Sequence, residues 1–116
     1  MAASVSRIYS CNVEVALEIL GGKWKPVILA HLKEGPLRYG ELRARIRRGL
    51  SDKMLTQRLA DLEEQGLVTR DKRGGRGAPS VYRLTRRAES LRPALQALHD
   101  WGARMAGELG AVVREG

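Results

Sequence analysis

The spacing of apolar residues changes twice along this chain, and the two changes limit what it can fold into. From Val13 to Leu62 the apolar positions recur three and four apart, as helices with one buried face require. At Gly66 that period stops. Leu67-Val68-Thr69-Arg70 and Val81-Tyr82-Arg83-Leu84-Thr85 are β-branched or alternating, and the turn-rich DKRGGRGAPS lies between them, so a β-hairpin is predicted. From Ala88 onward Leu91, Leu95, Leu98, Trp101, Met105 and Leu109 return to helical spacing, with Pro93 either bending or starting that helix. Helices, one hairpin and a closing helix make a mainly helical α+β fold.

The helical part divides at its glycines. Val13, Ala16, Leu17 and Leu20 predict a helix over 12–20, stopped by Gly21-Gly22. A second covers 24–33, with Pro26 tolerated in the first turn, and ends at Gly35-Pro36. Tyr39, Leu42 and Ile46 predict a short third helix running into Gly49. Ser51 is then a good N-cap for the clearest helix, whose stripe Leu55, Leu59 and Leu62 lasts until Gly66. Short helix, glycine-containing turn and helix form a helix-turn-helix over about 39–65, and the hairpin over about 67–85 makes it winged. At 116 residues, with no internal repeat or linker, the chain reads as a single domain over 1–116.

Charge narrows the partner. The formal net charge is +8 with a pI near 10.4, which points to a polyanion. Residues 1–50 hold nine basic and four acidic side chains, and 67–87 hold seven and one; the segment 51–66 between them holds two and four. The positive charge therefore flanks the Ser51 helix. One cysteine excludes an internal disulfide, and no stretch has signal or membrane-span length, so a cytoplasmic protein without a membrane partner is expected.

An α-helix fits the major groove, and a basic loop beside it can reach the backbone or minor groove. With Leu55 at the centre of the buried stripe, Lys53 falls at roughly 160°, Thr56 at roughly 100° and Gln57 at roughly 200°, all outward. Lys suits guanine acceptors or phosphate, Gln suits adenine, and Thr suits a thymine methyl or a phosphate. Arg58, at roughly −60°, can reach a phosphate or pair with Asp61. Ser51 opens the same surface, and Arg38 and Tyr39 at the start of the third helix are placed for phosphates. Lys72, Arg73 and Arg76 supply the hairpin tip, where Gly74, Gly75 and Gly77 free the backbone to follow a groove.

Other chemistry finds no support. Gly22-Lys23 is no phosphate loop, because Leu17 and Trp24 stand where glycine and Ser or Thr are needed. His31 and His99 lie far apart with one cysteine in the chain, so no metal site is expected, and no cofactor or catalytic constellation is implied. Leu95, Leu98, Trp101 and Met105 can serve the core of one subunit or, in a chain this short, a face buried against a second copy.

These residues together resemble the HxlR-type winged-helix transcriptional regulators, relatives of the MarR type. The resemblance rests on Cys11 before the first helix, Leu20-Gly21-Gly22-Lys23-Trp24, Arg38-Tyr39, Glu41-Leu42, Ser51, Leu55-Thr56, Leu59 and Leu62-Glu63. Gly66-Leu67-Val68, Arg70, Tyr82, Leu84-Thr85, Leu91, Pro93 and Trp101-Gly102 complete it. Asn12, Ala88 and the segment 78–81 depart from the family pattern. The resemblance implies a homodimer, built through the first and last helices (about 11–20 and 88–109, with Val13 and Leu17 joining the residues above), on a two-fold related operator of double-stranded DNA. It also implies sensing of an oxidant or electrophile at Cys11, whose thiolate a helix N-terminus and the nearby Arg7 favour; as a lone cysteine it can equally be an inert apolar residue. The rival from another class is an RNA- or ribosome-associated winged helix using the same basic surface.

Overall fold

The computed structural model describes residues 8–71 and 77–114. Its elements, in order, are α1 (Asn12–Leu20), α2 (Trp24–Leu32), β1 (Leu37–Arg38), α3 (Tyr39–Arg45), α4 (Asp52–Glu64), β2 (Val68–Asp71), β3 (Val81–Leu84), α5 (Arg86–Glu89) and α6 (Arg92–Leu109). The pair α3 and α4 with the β2–β3 hairpin behind it is a winged helix-turn-helix, in a mainly helical α+β architecture.

Two features went beyond the sequence expectation. The hairpin is the larger part of a three-stranded antiparallel sheet of order β1-β3-β2, in which Tyr82 faces Leu37 on one side and Arg70 on the other. And the return to helix after the hairpin takes two steps. Thr85 caps α5, its Oγ1 accepting from the Ala88 N–H at 3.2 Å and donating to the Gly66 carbonyl at 2.6 Å. Pro93 lies in the first turn of α6, so it starts that helix instead of bending it.

The core joins Ile28, Leu29 and Leu32 of α2, Leu42 of α3, Leu55, Leu59 and Leu62 of α4, and Leu67, Val68 and Tyr82 of the hairpin. The apolar period of α4 is thus the period of its contact with α2 and the sheet. Gly66 ends α4 with φ +75°. There the Leu67 N–H reaches the Leu62 carbonyl at 2.9 Å and the Gly66 N–H reaches Glu63 at 3.0 Å, so two orphan carbonyls are satisfied while Leu62 and Leu67 both stay buried.

Leu95 corrects one expectation. Sharing a helical stripe with Leu98 and Trp101, it is expected with them on a dimer face, yet it is 3% exposed and belongs to the protomer's own core. Near its start α6 packs on α2, with Lys33 Nζ donating to Gln96 Oε1 at 3.2 Å, so Leu95 turns inward there. Further along, Leu98 and Trp101 are 54% and 57% exposed, and Met105 is half-buried. Helix α1 buries no residue, and Val13 and Leu17 are 61% and 63% exposed. No helix among the described residues is long and apolar enough to cross a membrane.

Candidate nucleic-acid interface

The start of α4 is fixed by its own cap. Ser51 is extended at φ −79° and ψ 163°, and its Oγ accepts from the Met54 N–H at 3.1 Å. With Leu55, Leu59 and Leu62 turned into the core, Lys53, Thr56 and Gln57 are exposed on the opposite side of the first two turns. This half-helix is convex and uncovered, a shape that enters a groove.

A polar clamp holds it at that angle. Arg43 of α3 donates through Nη1 to the carbonyls of Ile46 at 2.8 Å and Leu50 at 2.6 Å, spanning the turn between the two helices. Its Nε lies 2.9 Å from Asp52 Oδ1, the same oxygen to which the Tyr39 hydroxyl donates at 3.0 Å. Asp52 in the first turn also suits the positive end of the α4 dipole. Arg43 and Asp52 were not singled out from the sequence, since the two carbonyls that define the role of Arg43 belong to a turn whose path only the fold supplies.

The expected site residues within the described part of the chain each have a place. Arg38 is exposed at the end of β1, and its backbone N–H donates to Glu41 Oε1 at 2.8 Å, which starts α3. Tyr39 is half-buried with its hydroxyl given to Asp52. Arg58 Nε lies 3.3 Å from Asp61 Oδ2 in the DNA-free chain, the pairing expected beside a phosphate contact. Gln57 folds along the helix, donating from Nε2 to Asp61 Oδ1 at 3.1 Å. Lys72, Arg73 and Arg76 at the hairpin tip, and Arg7 ahead of Cys11, lie outside the described residues. At the base of the hairpin Arg70 is exposed, and Arg83 Nη2 lies 3.8 Å from Asp71 Oδ2.

Arg45, Arg47 and Arg48 join this surface without being expected there from the sequence. All three are exposed around the end of α3 and the turn into α4, where they rim a shallow cleft floored by Trp24, Val27 and Ile46. The available signal was four arginines within residues 43–48, counted in the charge of the first half but not placed. They extend the cationic surface from the helix start toward α2. Among the described residues, the carboxylates held below their usual range are Glu34, bonded to Lys33 and also lowered by the charge of Arg45, Glu89 bonded to Arg92, and Asp100 bonded to Gln96 and His99.

Cys11 is exposed at the N-cap of α1, where its Sγ accepts from the Val13 N–H at 3.4 Å. Among the described residues no group of three or more His, Cys, Asp or Glu side chains is placed to hold a metal ion.

A family model described as HxlR-like helix-turn-helix matches residues 19–109. The chain is 46% identical over 99 residues to an uncharacterized HTH-type transcriptional regulator, YkvN of Bacillus subtilis, covering 84% of this chain and 82% of the relative. Among solved structures it is similar to the redox regulator HypR in its reduced form, with a TM-score of 0.77 and 31% identity over 86% of this chain and 98% of that one. It is also similar to the reduced form of the transcriptional regulator YodB from B. subtilis, with a TM-score of 0.66 and 29% identity over 81% of this chain and 91% of that one.

Proposed function

The chain belongs to the HxlR-like helix-turn-helix family of transcriptional regulators, and on that premise we propose that it acts as a homodimer reading a two-fold related operator in double-stranded DNA. The observation that carries this reading is the uncovered first half of α4, with Lys53, Thr56 and Gln57 opposite a fully buried leucine stripe. In this reading α4 enters the major groove. Lys53 and Gln57 address base edges, Thr56 a thymine methyl or a phosphate, and Ser51 holds the helix start against the backbone. Arg38, Arg58, Arg45, Arg47 and Arg48 supply phosphate contacts, and Lys72, Arg73 and Arg76 extend them along the neighbouring groove. Tyr39 contributes through Asp52, by keeping the helix start in place.

The dimer is supported by what the protomer leaves uncovered. Val13 and Leu17 of α1 and Leu98 and Trp101 of α6, with the half-buried Met105, present apolar side chains without a covering element. The Cα radius of gyration is 15.3 Å, where a compact domain of this length has about 13 Å. A second copy covering α1 and α6 accounts for both, and it sets two α4 helices on one side of the assembly with half-sites about 34 Å apart, or a multiple of that.

Cys11 is the proposed sensor. Its exposed thiol at a helix N-terminus suits attack of the thiolate on an electrophile such as a quinone or diamide, and similarity to the redox regulator HypR favours the same reading. Gel shifts with duplex DNA and with structured RNA across a salt series test the whole proposal, run with and without diamide on the parent and on Cys11→Ser. Preference for duplex DNA, with diamide releasing the parent alone, is the expected result. Preference for RNA overturns the regulator reading, and equal release of Cys11→Ser removes the sensor.

A further inference from the structure

At Gln65 the first helix meets the end of α4. This residue caps the C-terminus of α4 with a half-buried side chain that is used at both amide atoms. Its Nε2 donates to the Ile19 carbonyl at 2.8 Å, and its Oε1 accepts from Lys25 Nζ at 3.2 Å. Its own backbone carbonyl accepts from Arg87 Nη1 at 2.9 Å. One side chain therefore ties α4 to α1 and α2 while Arg87 fixes the backbone that carries it.

The Ile19 carbonyl is one of the last four of α1, which have no partner inside their own helix. Among the described residues α1 buries none and packs against the core through the partly buried Ile19 and Leu20, a non-directional contact that by itself tolerates sliding and tilting. A short hydrogen bond between partly buried groups is directional and does not. The bond to Gln65 thus constrains α1 against α4 in angle as well as in distance.

We propose that Gln65 is a positioning residue that sets the angle between α1 and α4, and through it the spacing of half-sites that the dimer accepts. The inference rests on the reading that α1 lies in the dimer interface. The lever is long: α4 has 13 residues, about 20 Å at 1.5 Å per residue. It is tied to α1 at its C-terminal end and presents Lys53, Thr56 and Gln57 at the other. A tilt of about 10° at the tie moves the reading end by about 3.4 Å, one base-pair step. Glutamine suits the task because it offers a donor to Ile19 and an acceptor to Lys25 at once. Glutamate in its place keeps Lys25 and loses Ile19, since a carboxylate has no proton for a carbonyl.

The test uses full-length parent, Gln65→Glu and Lys25→Met, with thermal unfolding to show that each is folded. The probes are the duplex that the parent selects from a random pool, the same duplex with its half-sites moved one base pair closer or further apart, and a single half-site. Gln65→Glu is expected to bind the single half-site within about twofold of the parent and to lose about tenfold on the selected spacing, with its preference among spacings flattened or moved. Lys25→Met, which leaves the Ile19 bond in place but frees Oε1, is expected to show the same pattern more weakly. An equal loss on single and paired half-sites overturns the proposal, because Gln65 then serves only the folding of α4. No change on either overturns it too. If the parent itself shows no spacing preference, the dimer reading fails, and that failure is visible without any variant.

Discussion

Gln57 donates from Nε2 to Asp61 Oδ1 at 3.1 Å, so before DNA is bound the side chain best suited to read a base lies along its own helix. Arg58 is held by the other oxygen of the same carboxylate at 3.3 Å. Asp61 therefore restrains two candidate DNA contacts and places a negative charge beside them. In Asp61→Ala both are freed: affinity for non-specific duplex at low salt should rise by about 0.5 kcal/mol, while the loss of two intrahelical pairs lowers stability by a few tenths to about 1 kcal/mol. Titration of fluorescent duplex beside urea unfolding measures both, and weaker DNA binding would contradict the restraint.

Base reading and backbone holding should separate by substitution. Gln57→Ala is expected to cost about 1–3 kcal/mol at one operator position and to relax the preference there, whereas Arg76→Ala weakens all sequences and flattens the salt slope by about one unit. Binding measured on an operator and its point variants at several salt concentrations tells the two apart, and identical behaviour of both variants is the contrary result.

The beginning and end of the reading helix were legible in the sequence because their causes are local. Ser51 caps it four positions before Leu55, and Gly66 takes the positive φ that closes it. What stayed hidden depends on distant partners. Leu37–Arg38 is too short to show alternation and becomes a strand only by pairing with Tyr82 and Val81. Gln65 acquires its role from a carbonyl 46 positions away, and Arg43 from the path of a turn. Leu95 and Leu98 share one helical stripe, and periodicity alone does not say that α2 covers the first and leaves the second bare.

Arg43 should matter for stability more than its surface position suggests. Removing its guanidinium leaves the Ile46 and Leu50 carbonyls without that donor and Asp52 without its cation. Arg43→Met is expected to lose about 2 kcal/mol in urea unfolding with little change in the denaturant slope. A loss below about 0.5 kcal/mol would show that the turn holds without the clamp.

Acid sensitivity should include a contribution from Glu89. Hydrogen bonding from Arg92 holds its carboxyl below the usual range against the opposing effect of desolvation, with a lesser coulombic part from the same residue. A carboxylate lowered in the folded state binds fewer protons there than in the unfolded chain, so its contribution is complete above the ordinary carboxylate range. It is lost as the pH falls through that range toward the lowered value. Glu89→Gln should therefore be less stable than the parent near neutrality and should show a shallower decline between about pH 5 and pH 3. Parallel declines measured by thermal unfolding across that window would contradict the assignment.

The exposed apolar stripe of α6 predicts a clean dissociation. Trp101 is 57% exposed in the protomer, so Trp101→Asp leaves the core intact while putting a charge into the face assigned to the second copy. Sedimentation at micromolar concentration should give a dimer for the parent and a folded monomer for the variant. A variant that remains dimeric would move the interface elsewhere.

The most direct measurement is selection of bound duplexes from a random pool, followed by footprinting and stoichiometry on the selected site. Two chains per duplex, and two inverted half-sites with centres about 34 Å apart or a multiple of it, are the predicted result. A single asymmetric footprint bound by one chain would contradict the dimeric reading of DNA by α4.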